Sequence, residues 1–235
     1  MQENVTMIDR REFLTITGAG GAALLFGIPN PLYASTTEKE EKIMPYTAKD
    51  YSKLIGIEGF SETLLKNHFT LYQGYVTNTN KALDILSQML KDGKTTTPEF
   101  AELKRRLGWE FNGMRLHEYY FENLGKKGGI NKEGVLAKKM TEEFGSYEMW
   151  EKDFRAVGAM RGIGWAVLYQ DSASGRLINF WINEHDVSHP AGCNPLLIMD
   201  VFEHAFMIDY GLKRADYIEA FFKNIDWSAA EARLR

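Results

Sequence analysis

The sequence predicts an α+β protein: an N-terminal hairpin of long helices, then a C-terminal domain in which a small three-stranded antiparallel sheet is combined with helices. Three observations carry this. Two stretches, Ile57 to about Leu90 and Pro98 to Leu124, repeat apolar residues at helical spacing. A glycine-rich stretch from Lys126 to Ile130 then interrupts the pattern. Beyond it come further helical pieces and three short β-rich runs, Trp165–Gln170, Leu177–Asn183 and Pro195–Met199. Helices segregated from a short set of strands make the α+β class.

The first helix is announced by Ser61 with Glu62 and closed by Asp92-Gly93. Its apolar positions include Phe60, Leu64, Leu65, Tyr72, Val76, Leu83, Ile85, Leu86 and Leu90. His68, Tyr72 and Tyr75 fall at i, i+4 and i+7, on one stripe. On spacing alone, His68 fits a core histidine as well as a ligand. The second helix presents Phe100, Leu103, Leu107, Phe111, Met114, Leu116 and Tyr120 on its apolar face, with His117 among them. Gly113, one turn before His117, costs about 1 kcal/mol relative to alanine in a helix interior, so it makes room for something. The hairpin can therefore present two imidazoles to one point. Asn131 to Met160 reads as two helical pieces parted by Phe144-Gly145-Ser146, and Ser172 to Gly175 as the hairpin turn between the first two strands. Asp216–Phe222 and a tail from Trp227 are again helical.

Composition bounds the function. The chain has 235 residues, 44% of them apolar and 26% charged, with net charge −4. That acidic balance argues against a nucleic-acid binder, which would carry a basic excess. With Cys193 the single cysteine, there is no internal disulfide and no thiolate metal cluster. Nitrogen ligands can come only from His68, His117, His185, His189 and His204. The N-terminus reads as a targeting segment. Asp9-Arg10-Arg11-Glu12-Phe13-Leu14 resembles a twin-arginine export signal, followed by the apolar run Ile16 to Ile28 and a cleavage point after Ala34. That run is shorter than the ~20 residues a membrane-spanning helix needs. The expected layout is a signal over residues 1–34, a tether over 35–42, a helical-hairpin domain over 43–128 and a metal-binding domain over 129–235. It implies a periplasmic protein with no stable membrane association after cleavage.

The most informative stretch is Asp200-Val201-Phe202-Glu203-His204, directly after the apolar run Pro195 to Met199. A carboxylate ending a buried strand is costly unless it is paired, hydrogen-bonded or bound to metal. Asp200 and His204 can aim at one point if they share a helical turn or a strand-to-helix junction. A helix cap at Asp200 with a core histidine at His204 is the plainer alternative.

From about Ile43 to Arg235 the chain resembles the iron/manganese superoxide dismutases. The specific match is Leu197-Ile198-Met199-Asp200-Val201-Phe202-Glu203-His204-Ala205-Phe206, which fits that family's D-x-[WF]-E-H-A-[YF] signature. Tyr75-Val76-Thr77-Asn78, Phe144-Gly145-Ser146, Gly162-Ile163-Gly164-Trp165, Lys213 to Tyr217 and Asn224 to Trp227 agree as well.

The resemblance implies one Fe or Mn ion per subunit, a solvent molecule as fifth ligand, and His68, His117, Asp200 and His204 as protein ligands. An ungapped alignment from Tyr75 places Asn67 at the first ligand position. Loss of the one-residue π-bulge found in many members puts His68 there instead. The resemblance further assigns Tyr75 to the substrate gate, Trp165 to the pocket lining, and His185 to the solvent-partner position where glutamine is usual. Gly113 stands at the alternative glutamine position on the second helix. Tyr72, Phe202 (where many members have tryptophan) and Arg214 (a candidate for steering the anionic substrate) complete the surroundings. Glu203 is expected to bond His204 of a second subunit, giving a homodimer or homotetramer, although Met207 replaces an interface tyrosine and Leu71 or Tyr72 stands near a usual histidine. Superoxide is the implied substrate. A non-haem iron oxygenase would need a β-barrel, and a di-iron bundle would need paired Glu-x-x-His motifs; neither is present. A non-catalytic metal-binding relative of the same fold is the alternative reading.

Overall fold

The computed structural model describes residues 44–125 and 128–235; the twin-arginine segment and the tether expected from the sequence lie outside the described residues. The first long helix, α1 (Glu62–Lys91), opens where its cap signal stands, with Ser61 Oγ accepting the Leu64 amide at 3.1 Å. It starts later than the apolar spacing alone implies. Gly59 lies at φ +81°, where only glycine is unstrained, and the backbone turns there before the helix begins. The second helix, α2 (Pro98–Glu122), is capped by Thr97 with proline in its first turn. α1 and α2 pack as the expected hairpin.

Two shorter helices follow, α3 (Val135–Phe144) and α4 (Tyr147–Ala159), divided at Gly145 and capped anew by Ser146. The sheet comprises β1 (Gly164–Asp171), β2 (Leu177–Asn183) and β3 (Cys193–Asp200), ordered β2-β1-β3 and antiparallel throughout. Being central, β1 is buried over Gly164 to Gln170. Its register places Trp165 opposite Asp200 on one side and Ile182 on the other. After β3 the chain makes a short 3-10 helix, Glu203–Ala205, and then α5 (Met207–Tyr210), α6 (Arg214–Lys223) and α7 (Trp227–Glu231).

Residues 44–235 form one unit around one core. Tyr120 and Phe121 of α2, Trp150 and Phe154 of α4, Trp165 to Leu168 of β1, and Tyr217 and Phe221 of α6 are all buried in it. The stretch at 128/129 is a connection between α2 and α3 within that unit. The apolar face of α1 is shorter than its sequence pattern: Leu83, Ile85 and Leu90 are exposed, because the far half of the hairpin packs on one side only. Among the described residues, no helix is long and apolar enough to cross a membrane.

Candidate metal centre

Four chain segments converge on one carboxylate oxygen. β3 delivers Asp200 at its end, and the backbone then turns sharply. Asp200 Oδ1 accepts the Phe202 amide at 2.9 Å, closing the turn. Its second oxygen faces three imidazoles. His68 Nε2 from α1 and His204 Nε2 from the 3-10 helix each lie 3.1 Å from Oδ2, and His117 Nε2 from α2 lies at 3.6 Å. One potential ligand atom from each of the four residues falls within 4.8 Å of all the others. Of the two alternatives foreseen, the convergent carboxylate is present and the helix cap is not: Phe202 stands at the N-cap of the 3-10 helix without a side-chain cap bond, and Asp200 Oδ1 closes the turn that precedes it. Asn67, by contrast, is exposed on the outer side of α1. α1 runs as an uninterrupted α-helix through this region, so the i, i+4, i+7 stripe of His68, Tyr72 and Tyr75 faces inward.

The electrostatics suit a cation. His68, His117 and Asp200 are fully buried. Burial pushes the His68 imidazole below its ordinary pKa against the pull of Asp200, and it pushes His117 well below, with His68 adding to the effect. Burial alone would raise Asp200, but the His204 and His68 imidazoles override it and hold the carboxylate well below its usual range. For His68, His117 and Asp200 these directions favour neutral imidazoles beside an ionised carboxylate, the protonation states a metal requires. His117 fixes this most sharply. Its Nδ1 donates to the Gly113 carbonyl at 2.6 Å, which leaves Nε2 as a bare lone pair. That buried atom has no hydrogen-bond partner among the described residues, an orphan that a metal ion would satisfy. Three imidazoles and one carboxylate, without sulfur, fit Fe or Mn.

Comparison with known proteins bears on the same residues. The family described as iron/manganese superoxide dismutases, C-terminal domain, matches residues 132–233. Superoxide dismutase [Mn] 2 of Haloferax volcanii is 37% identical over 172 residues, 73% of this chain and 85% of its own. The chain belongs to the iron/manganese superoxide dismutases. Superoxide dismutase [Fe] of Cupriavidus metallidurans is also 37% identical, with 76% of this chain and 90% of the relative covered. The [Fe] protein of Aquifex aeolicus is 36% identical over 198 residues, covering 82% and 91%. Relatives named for either metal thus stand at nearly equal identity, in keeping with a ligand set that suits both ions.

A second layer surrounds the four residues. Tyr75 stacks on His117, ring centres 5.2 Å apart. The space left by Gly113 is filled by that ring: a Cβ at Gly113 would come within 2.6 Å of Tyr75 Cδ1. His185 is buried and bonded at both nitrogens, with Trp165 Nε1–H donating to Nδ1 at 3.1 Å and Tyr75 Oη lying 2.7 Å from Nε2. Indole nitrogen can only donate, so Nδ1 is the acceptor and a neutral His185 carries its proton on Nε2, which donates to Tyr75. Burial lowers His185 to about 4, so it is neutral at physiological pH. Phe202 stacks between His185 and His204, at 4.6 and 5.1 Å. Tyr72 is buried and donates to Glu118 Oε1 at 3.0 Å.

Other expectations fall further out. The Arg214 guanidinium donates to the carbonyl oxygens of Met160 and Gly162 and lies over Phe206, so its charge is tied to the loop before β1. Glu203 is exposed, and the His204 side chain is 27% accessible. His189 stands apart from the four-residue cluster with both nitrogens engaged. Sequence reasoning missed Trp109, whose ring meets His185 edge-on at 4.8 Å and lies under the Arg106 guanidinium. A tryptophan among charged residues on a helix carries no signal of this until the loop opposite is placed.

Proposed function

We propose that this chain removes superoxide at one Fe or Mn ion held by His68, His117, Asp200 and His204. The observation that carries the proposal is the buried, unpartnered His117 Nε2, which with His68 faces the ionised Asp200 carboxylate. When bound, the ion supplies reversible one-electron exchange, so that one superoxide is oxidised to dioxygen and a second, with two protons, becomes hydrogen peroxide. The chain's own residues supply charge, access and protons. Asp200 offsets part of the cation's charge in a dry site. His185 is locked by Trp165 into donating to Tyr75 Oη, which turns the tyrosine's own hydroxyl proton outward. Burial raises Tyr75 to about 12, so at neutral pH Oη keeps a proton that it can donate to the incoming anion.

The same reading includes assembly and export. The exposure of Glu203 and of one edge of His204 supports a bond between them across a two-fold axis, in a homodimer or a homotetramer. The twin-arginine pattern at Arg10-Arg11 supports export of the folded, metal-loaded protein to the periplasm. Arg10→Lys with Arg11→Lys should strand it in the cytoplasm on cell fractionation; unchanged export would refute that route.

The central test is metal content together with superoxide removal on the purified protein. About one Fe or Mn per subunit with activity is expected. His68→Ala should abolish both, whereas Asn67→Ala should leave both intact. Metal without activity would instead establish a metal-binding relative, and metal retained without His68 would overturn the ligand set.

A further inference from the structure

The loop that carries His185 leaves β2 at Asn183 under conformational strain. Glu184 (φ 52°) and Ser188 (φ 75°), one on each side of His185, are non-glycine residues in the left-handed region. Each is a strained conformation that persists only where the surroundings hold it. Asn183 and Val187 exchange two backbone hydrogen bonds across the base of the loop, at 3.1 and 3.3 Å. Side-chain support beyond that comes from His189. Its Nε2 lies 2.8 Å from the His185 carbonyl oxygen. A carbonyl can only accept, so Nε2 bears the proton and a neutral ring offers Nδ1 as acceptor. Tyr169 Oη, at 2.9 Å, donates to it.

Tyr169 and Trp165 both belong to β1. The central strand therefore grips residue 185 twice: Trp165 holds the imidazole, and Tyr169 holds the main chain through His189. On its other side, His189 borders a cleft of about 530 Å³ between α2 and the loop, shared with Tyr119, Tyr169, Asp186 and Cys193. A third backbone bond, from the Glu184 amide to the Ile163 carbonyl at 3.2 Å, ties the start of the loop but does not reach the His185 carbonyl.

We propose that His189 is a positioning residue: backed by Tyr169, it clamps the His185 carbonyl so that the His185 imidazole stays in line between Trp165 and Tyr75. This rests on the reading of the site as a superoxide dismutase centre, and it assigns a role to the one histidine that is neither ligand nor pocket wall.

The test compares metal-loaded full-length protein with H189A, H189Q and Y169F, reading metal content, kcat and amide exchange of the 183–189 segment. Glutamine can donate to the His185 carbonyl and accept from Tyr169 at once, so H189Q is the conservative rescue. H189A should keep its metal, lose about tenfold or more in kcat, and exchange faster in the loop. Y169F should shift both readouts in the same direction by less, and H189Q should restore both. Unchanged kcat in H189A overturns the proposal whether or not the loop loosens, as does an H189Q that folds but is as impaired as H189A. If H189A fails to fold, Y169F against H189Q decides: the first must loosen the loop and the second must not. Absence of activity in the parent protein would sink the functional reading instead, and the exchange data would still report on the clamp.

Discussion

Asp200 shows how much one side chain can settle. Its Oδ1 holds the turn that starts the 3-10 helix, its Oδ2 is the point on which the imidazoles converge, and its carbonyl accepts from Tyr217 at 2.5 Å. Asp200→Asn keeps the first and third of these and removes the charge. The expected outcome is a folded protein whose metal content falls by well over tenfold, read by elemental analysis beside circular dichroism. Full occupancy in that variant would show that the carboxylate is not a ligand. Proton competition gives a second prediction. His68, His117 and His185 sit below their ordinary value of 6.5, and Asp200 sits below 3.8. A base with a depressed folded pKa binds its proton more readily when unfolded, so stability is complete above 6.5 and is lost as pH falls. Each such imidazole adds a slope of up to about 1.4 kcal/mol per pH unit. His185, at about 4, does so across the window from 6.5 down to 4, and Asp200 extends the loss below 3.8. Thermal melts of the metal-free protein should be flat above pH 7 and fall steadily below 6.5; a pH-independent midpoint between 7 and 4 would contradict this. Gly113→Ala sets two effects in opposition. Alanine gains about 1 kcal/mol of helix propensity, but its Cβ would overlap the Tyr75 ring, and overpacking of this kind costs about 1–3 kcal/mol. The clash should win, lowering the melting temperature and separating Tyr75 from His185.

At the scale of elements, apolar spacing made the helices legible and Ser61 marked one start; Thr97 and Ser146, not read as caps from the sequence, likewise stand one residue before a helix and accept an amide from its first turn. The strands were legible because β1 is buried on both faces and β3 ends in a carboxylate that needs partners. The metal cluster was legible through the resemblance carried by the Asp200–Phe206 signature; the count of five histidines narrowed the candidates, and the His68–Tyr75 spacing agreed with His68 rather than Asn67. What escaped was tertiary. The short 3-10 helix and α5 after Asp200 are set by packing rather than by periodicity. Asn123 is an example with energetic weight: fully buried, it donates to the carbonyls of Tyr120 and Ile198 and accepts the Ile198 amide, joining the end of α2 to the middle of β3. Those two elements carry His117 and Asp200. An asparagine before Leu-Gly reads simply as a helix end. Asn123→Ala would leave main-chain groups of β3 unpaired and should cost about 2–4 kcal/mol, a fall of roughly 4–16 °C in melting temperature for a unit of this size. A shift below 1 °C would show that water replaces the clamp. Ser61→Ala should cost only about 1 kcal/mol, because one cap amide is lost while the apolar face of α1 stays buried.

For the whole molecule, the segment after the signature stretch presents an exposed apolar face beside the metal site. Glu203, Met207, Ile208 and Leu212 are exposed within ten residues of one another, and Met160 and Ile163 add further exposed apolar surface. The His204 ring is the one metal-facing imidazole that solvent can reach. Water at that edge would compete for the ring and raise the effective dielectric beside a site whose other members are dry. A second copy placing its Glu203 there would both shield His204 and accept its free N–H, and the apolar residues would be covered in the same contact. Dimerisation and metal retention should therefore be linked. Sedimentation at micromolar concentration is expected to give at least a dimer. Ile208→Glu, which touches no ligand, should shift the protein toward monomer and speed metal loss to a chelator, with both effects reversed as protein concentration rises. Glu203→Ala should speed metal loss more than it weakens association, since it removes the bond to His204 but leaves the apolar contact. A stable monomer that holds its metal as tightly as the parent would break the link and leave the exposed segment without this role.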